Sequence, residues 1–242
     1  MIRWMSLFLD APPELLPTTS TFWTQVSATT PGQPIGAHDE FVPLEPDGDP
    51  CLWLQRLDDG PVACHPDLYV EDVAAAARDA RDLGATVLSE QDGLIVLRSP
   101  GGLGFCLVRW RGQDRRPAPV GPPGRRSHVD QLCLDIPPGR YDEECAFWAA
   151  TTGFERYDEG ADEFERLRRP EGAPYALLLQ RLDDERERVG AHIDLSADDR
   201  EAETKRHQAL GATVLRRTEG WTVMRDPAGM TYCITRRRPF DV

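Results

Sequence analysis

The chain has one lysine, Lys205, so arginine carries nearly all of its positive charge, a bias that suggests a GC-rich bacterial genome. Basic residues number 28 against 41 acidic ones, giving a net charge of −13 and a pI near 4.8. Phosphate backbones are bound by basic surfaces, so nucleic acid is not an expected partner. No stretch approaches the roughly 20 apolar residues of a membrane span. The apolar run near the N-terminus is cut by Asp10, short of the roughly 7–15 residues of a secretion-signal core. A cytoplasmic protein is expected. The six cysteines, at 51, 64, 106, 133, 145 and 233, form no C-x-x-C pair, which argues against a zinc ribbon or thioredoxin-type site and for reduced thiols. Glycine-rich phosphate loops, H-E-x-x-H and the nucleophile-elbow pattern are missing, so nucleotide cofactors and serine-type hydrolysis have no support.

What the chain does contain, it contains twice. Residues 65–88 read HPDLYVEDVAAAARDARDLGATVL and residues 192–215 read HIDLSADDREAETKRHQALGATVL. The copy extends to QRLDD at Gln55 and Gln180, Phe22-Trp23 and Phe147-Trp148, and Leu9-Asp10 and Leu134-Asp135. A period of about 125 residues exceeds the roughly 20–50 of a solenoid unit and matches a whole domain.

Apolar alternation predicts a strand at residues 4–10, and the spacing of Leu15, Leu16, Phe22, Trp23 and Val26 predicts a helix entered through prolines. Short strands follow around 39–44 and at 51–57. A second βαβββ run begins at His65. Its helix opens at Glu71-Asp72, buries Val73, Ala76, Ala77, Ala80 and Leu83 on one face, and ends at Gly84. Strands at 85–88, 94–97 and 103–110 complete it. Residues 111–127, with Pro117, Pro119, Pro122 and Pro123 among arginines and glycines, read as a linker. From His128 the same order repeats. The expected architecture is therefore α+β, four tandem βαβββ units forming two half-barrel domains at 1–110 and 128–242.

Paired βαβββ units, a helix ending in L-G-A and a D-P-x-G turn before the last strand resemble the vicinal oxygen chelate superfamily, the glyoxalase, bleomycin-resistance and extradiol-dioxygenase group. The resemblance implies a cavity for a small organic molecule and, in its metal enzymes, ligands on several inward-facing strands. Carried over position by position, these ligands fall on Ser6 and Gln131 in the first strands, Gln55 and Gln180, and His65 and His192. The final-strand glutamate is replaced by Cys106 and Cys233.

Two functions are therefore in play. One is a glyoxalase-like protein that binds a small organic molecule without the complete metal set, through His65, His192, Gln55, Gln180, Cys106 and Cys233, with Trp53 and Trp221 as aromatic walls. The other is a metal-dependent lyase, isomerase or dioxygenase holding one divalent ion (zinc, nickel, iron or manganese) at Gln131, Gln180, His192 and Cys233. The histidines could equally bond a neighbouring strand, and the cysteines could be small buried hydrophobes. The linker is long enough for the two domains to pair within a monomer, with a homodimer as the alternative.

Overall fold

The computed structural model describes residues 1–161 and 163–239; the final residues of the second expected domain, 240–242, lie outside the described residues. The element order is β1 (Trp4–Ala11), α1 (Leu16–Ser27), β2 (Thr30–Pro31), β3 (Phe41–Glu45), β4 (Leu52–Arg56), β5 (Ala63–Val70), α2 (Val73–Asp82), β6 (Thr86–Gln91), β7 (Leu94–Arg98) and β8 (Gly104–Arg109), repeated as β9 (Ser127–Ile136), α3 (Tyr141–Thr152), β10 (Glu155–Ala161), β11 (Phe164–Arg168), β12 (Ala176–Arg181), β13 (Gly190–Ala197), α4 (Arg200–Ala209), β14 (Thr213–Arg217), β15 (Trp221–Arg225) and β16 (Thr231–Thr235). These are four βαβββ units. Their strands form two eight-stranded mixed sheets, ordered 2-3-4-1-5-8-7-6 and 10-11-12-9-13-16-15-14. No helix among the described residues is long and apolar enough to cross a membrane.

Local chemistry sets the element ends. Asp72 caps α2 by accepting from Ala75 N at 2.8 Å, and Asp199 caps α4 by accepting from Ala202 N at 3.0 Å. Gly84 and Gly211 follow the two helices with φ of 102° and 99°, a left-handed conformation that glycine adopts without a Cβ penalty. The D-P-x-G turn is held by Asp226, whose Oδ1 accepts from Ala228 N at 2.9 Å and Met230 N at 2.8 Å.

The chain packs as two compact units, each drawing on both copies. The first comprises Met1–Ser6, His65–Asp114 and Leu132–Ala191. Its core joins Phe105 of β8 to Phe147 and Trp148 of α3, with ring centroids 5.8 and 5.2 Å apart. The buried Trp148 indole donates to Glu144 Oε2 at 2.8 Å, one turn earlier on α3, and the other oxygen of Glu144 accepts from Gly101 N. Burial raises the Glu144 carboxyl above its ordinary value, and those hydrogen bonds partly offset the effect.

The second unit comprises Leu7–Cys64, Arg115–Gln131 and His192–Val242. Here Trp23 of α1 packs on Tyr232 of β16 at 5.3 Å, and its indole donates to Asp226 Oδ2 at 3.0 Å. His207 of α4 is fully buried between Tyr232 OH, 2.7 Å from Nδ1, and Glu203 Oε1, 3.0 Å from Nε2. A carboxylate only accepts, so Nε2 carries a proton, and burial, which lowers the imidazole below its ordinary value, favours the neutral ring whose Nδ1 accepts from the phenol. Arg206 closes the end of α1 by donating to Gln25 O and Val26 O, both at 3.0 Å. Residues 115–127 of the linker belong to this unit. Asp49 N donates to Arg115 O at 2.8 Å and Arg115 N to Asp49 Oδ2 at 2.9 Å, while Asp198 Oδ2 accepts from Gly124 N and Arg126 Nε.

Two outcomes follow. Glu144→Ala leaves the Trp148 indole and Gly101 N–H buried and unpaired, so chemical denaturation should show a loss of about 3 kcal/mol; a loss below about 1 kcal/mol would show that other acceptors take over. Burial holds His207 below its ordinary value, against the pull of Glu203. The unfolded chain, titrating near 6.5, then takes up the proton first, and stability present above that pH is lost as pH falls towards the folded value. Melting temperature should drop from about pH 7 to pH 5, and His207→Gln should flatten that slope; an unchanged slope would assign it to another group.

Candidate metal and ligand sites

Side chains on a strand alternate between faces, so residues two apart share one. On β5 this places His65 beside Asp67, and on β13 it places His192 beside Asp194. In parallel pairing, Asp67 stands opposite Cys106 of β8 and Asp194 opposite Cys233 of β16. The duplication thus repeats a three-residue cluster, one wholly within each compact unit.

The second cluster is the tighter. His192 Nε2 lies 3.3 Å from Asp194 Oδ1 and 3.5 Å from Cys233 Sγ. Both partners converge on one ring nitrogen. A nucleophilic Cys-His-Asp relay needs the thiol and carboxylate on opposite nitrogens, so this geometry does not form one. It does match metal ligation: donors about 2.0–2.3 Å from a tetrahedral zinc stand about 3.3–3.5 Å from one another. Gln131 of β9 donates its amide to Asp194 Oδ2 at 2.6 Å. Asp194, only 3% exposed, keeps Oδ1 without a hydrogen-bond partner, as does Gln131 its Oε1. A buried carboxylate oxygen lacking a donor is costly, and a cation would satisfy it. By donor chemistry and spacing, the residues present fit a divalent metal.

In the first cluster, His65 Nε2 lies 3.5 Å from Asp67 Oδ1, and Cys106 is within 4.8 Å of both. Ser6 occupies the position of Gln131 and bonds Tyr69 OH at 3.3 Å. Burial, followed by the Asp67 charge, pushes the Cys106 thiol up to about 12, despite a hydrogen bond with His65.

The structure thus gathers His65 with Cys106, and Gln131 with His192 and Cys233. Gln180 lies in the first unit, where its Oε1 accepts from Cys133 Sγ at 3.5 Å. Trp53 of β4 stacks on Phe8 of β1 at 5.6 Å and 18°, and Phe41 meets Phe8 edge-on at 5.9 Å. Gln55 shares the face of Trp53 and pairs in register with Phe41. Trp221 is half-buried on β15. Phe22-Trp23 and Phe147-Trp148 are core residues, as their helix positions predict. The sequence reading missed Asp67 and Asp194: the carboxylate absent from the final strand stands on the histidine's own strand. The H-x-D spacing, present in both copies, is the signal that marks it.

Cys106 is buried and protonated near neutrality, so iodoacetamide at about pH 8 should leave it unlabelled in the folded chain and label it on denaturation, as peptide mass spectrometry would read. Rapid labelling of the native protein would show an exposed or activated thiol.

Among curated proteins, none matches the chain. Solved structures do. The Mn(II)-bound glyoxalase from Novosphingobium aromaticivorans is 19% identical, with a TM-score of 0.63 over 97% of this chain and 81% of its own. The 2,2',3-trihydroxybiphenyl 1,2-dioxygenase from dibenzofuran-degrading Sphingomonas wittichii strain RW1 is 14% identical, with a TM-score of 0.61 over 97% and 90%. A variant of homoprotocatechuate 2,3-dioxygenase from B. fuscum is 13% identical, with a TM-score of 0.64 over 97% and 71%. Likeness at such identities carries the fold alone. The sequence model of the glyoxalase-like domain matches twice, at residues 7–108 and 131–235, and with four βαβββ units in two eight-stranded sheets the chain belongs to the glyoxalase-like domain family of the vicinal oxygen chelate superfamily.

Proposed function

We propose that this protein binds a small organic molecule carrying adjacent oxygen donors, at a divalent metal held in the second copy by His192, Asp194 and Cys233. The observation that supports it is the convergence of Asp194 Oδ1 and Cys233 Sγ on one imidazole nitrogen, at 3.3 and 3.5 Å. Thiolate and imidazole together suit zinc better than the harder manganese. When bound, the ion supplies Lewis acidity towards the ligand's oxygens. The chain's own residues do the positioning. Gln131 fixes one carboxylate oxygen of Asp194 and so aims the other at His192. The reaction class this donor set favours is proton movement next to a chelated carbonyl, of lyase or isomerase type, because zinc does not change oxidation state.

A second reading, metal-free sequestration of a planar compound, draws support from the stacked Phe8–Trp53 pair and the neighbouring Gln55. The full chain, purified reduced and without chelator, separates the two. Under the metal reading it retains zinc by mass spectrometry. In calorimetry Asp194→Asn weakens the tightest zinc-binding event at least about 100-fold and Gln131→Ala about 10–100-fold. If no zinc is taken up and planar aromatic acids raise the melting temperature of the wild type but not of Trp53→Ala, sequestration replaces it.

A further inference from the structure

The first copy repeats the cluster without the glutamine that braces it. Asp67 is 6% exposed, and its Oδ1 has no hydrogen-bond partner. That oxygen lies 3.5 Å from His65 Nε2, at ion-pair range. Cys106 stands directly opposite Asp67 across the parallel pair, as Cys233 stands opposite Asp194. The three donor atoms lie within 4.8 Å of one another. A buried carboxylate oxygen that receives no donor is costly in an apolar interior, and a cation would satisfy it.

Resting on the reading of the second copy given above, we infer that His65, Asp67 and Cys106 form a second site for a zinc-class divalent ion, so that the chain takes two. The sites are not equivalent. In the second copy Gln131 bonds Asp194, whereas in the first copy the short Ser6 stands in the place of Gln131 and the large Tyr69 in the place of Ser196. Ser6 bonds Tyr69, and the carboxylate of Asp67 has no amide from this position to orient it. An orienting partner is worth about 10–100-fold in metal affinity, so the first site is the weaker by about that factor.

The test uses cobalt(II) as a probe on the reduced full-length chain, because cobalt–thiolate charge-transfer absorption reports sulfur ligation directly, with zinc calorimetry for stoichiometry. Wild type should bind two ions in two steps. Asp67→Asn, which keeps the side-chain volume, should remove the weaker step, and Cys106→Ser should remove about half of the charge-transfer intensity. Asp194→Asn should leave one ion bound at the first site. One ion in the wild type, abolished by Asp194→Asn and untouched by Asp67→Asn, overturns this inference and leaves the proposed function standing. No uptake at all overturns both. The wild-type stoichiometry depends on no variant, and circular dichroism of Asp67→Asn separates loss of ligation from loss of fold.

Discussion

The two-residue period of a β-strand governs this molecule. It sends one set of side chains into the core against the helices and the alternate set to the other face, so Ile193 and Leu195 are buried while His192 and Asp194 stand together between them. Parallel pairing then fixes which residue of the next strand completes the cluster, since a slip of one position would carry Cys233 to the opposite face. The donors need no loop to bring them together; they follow from strand register. That places the candidate chemistry on strands, which position side chains more precisely than loops do.

Much of this was legible beforehand, and for identifiable reasons. The repeat itself, the four βαβββ units and their α+β class could be read because glycine after L-G-A helices, proline in the D-P-x-G turn and apolar alternation are local signals. The structure keeps each, from Gly84 and Gly211 at positive φ to Asp226 gathering the turn's amides. The pairing of His192 with Cys233, by contrast, lives in strand register and not in local sequence, and was approached only through family positions. Gln131 illustrates the limit. Its position marks it as a ligand, but its amide is committed to Asp194, a partner 63 residues away. Residues 115–127 have a linker's composition, yet Asp49 and Asp198 bind their backbone. Composition reports the lack of a core; it does not report which carboxylates wait nearby.

The two copies have diverged by paired exchanges. Where Ser6 faces Tyr69, the second copy has a long residue in place of the short one and a short residue in place of the long one. A close-packed interior tolerates a change of volume at one position when its neighbour changes in the opposite sense. The same logic governs polar groups. In each unit the helix tryptophan buries its indole N–H against a carboxylate, supplied from the helix by Glu144 in the first and from the turn by Asp226 in the second.

That last exchange bears on how the gene can change. Unequal recombination or gene conversion between the halves would copy a helix without its matching turn. Carrying α3 into the second unit would confront Asp226 with a second buried acid, and carrying α1, which has Thr19 where α3 has Glu144, into the first would leave its tryptophan without a carboxylate, since Ser99 stands there in place of Asp226. Either product would fold poorly. The polar pairing thus acts as a barrier to homogenisation of the two halves.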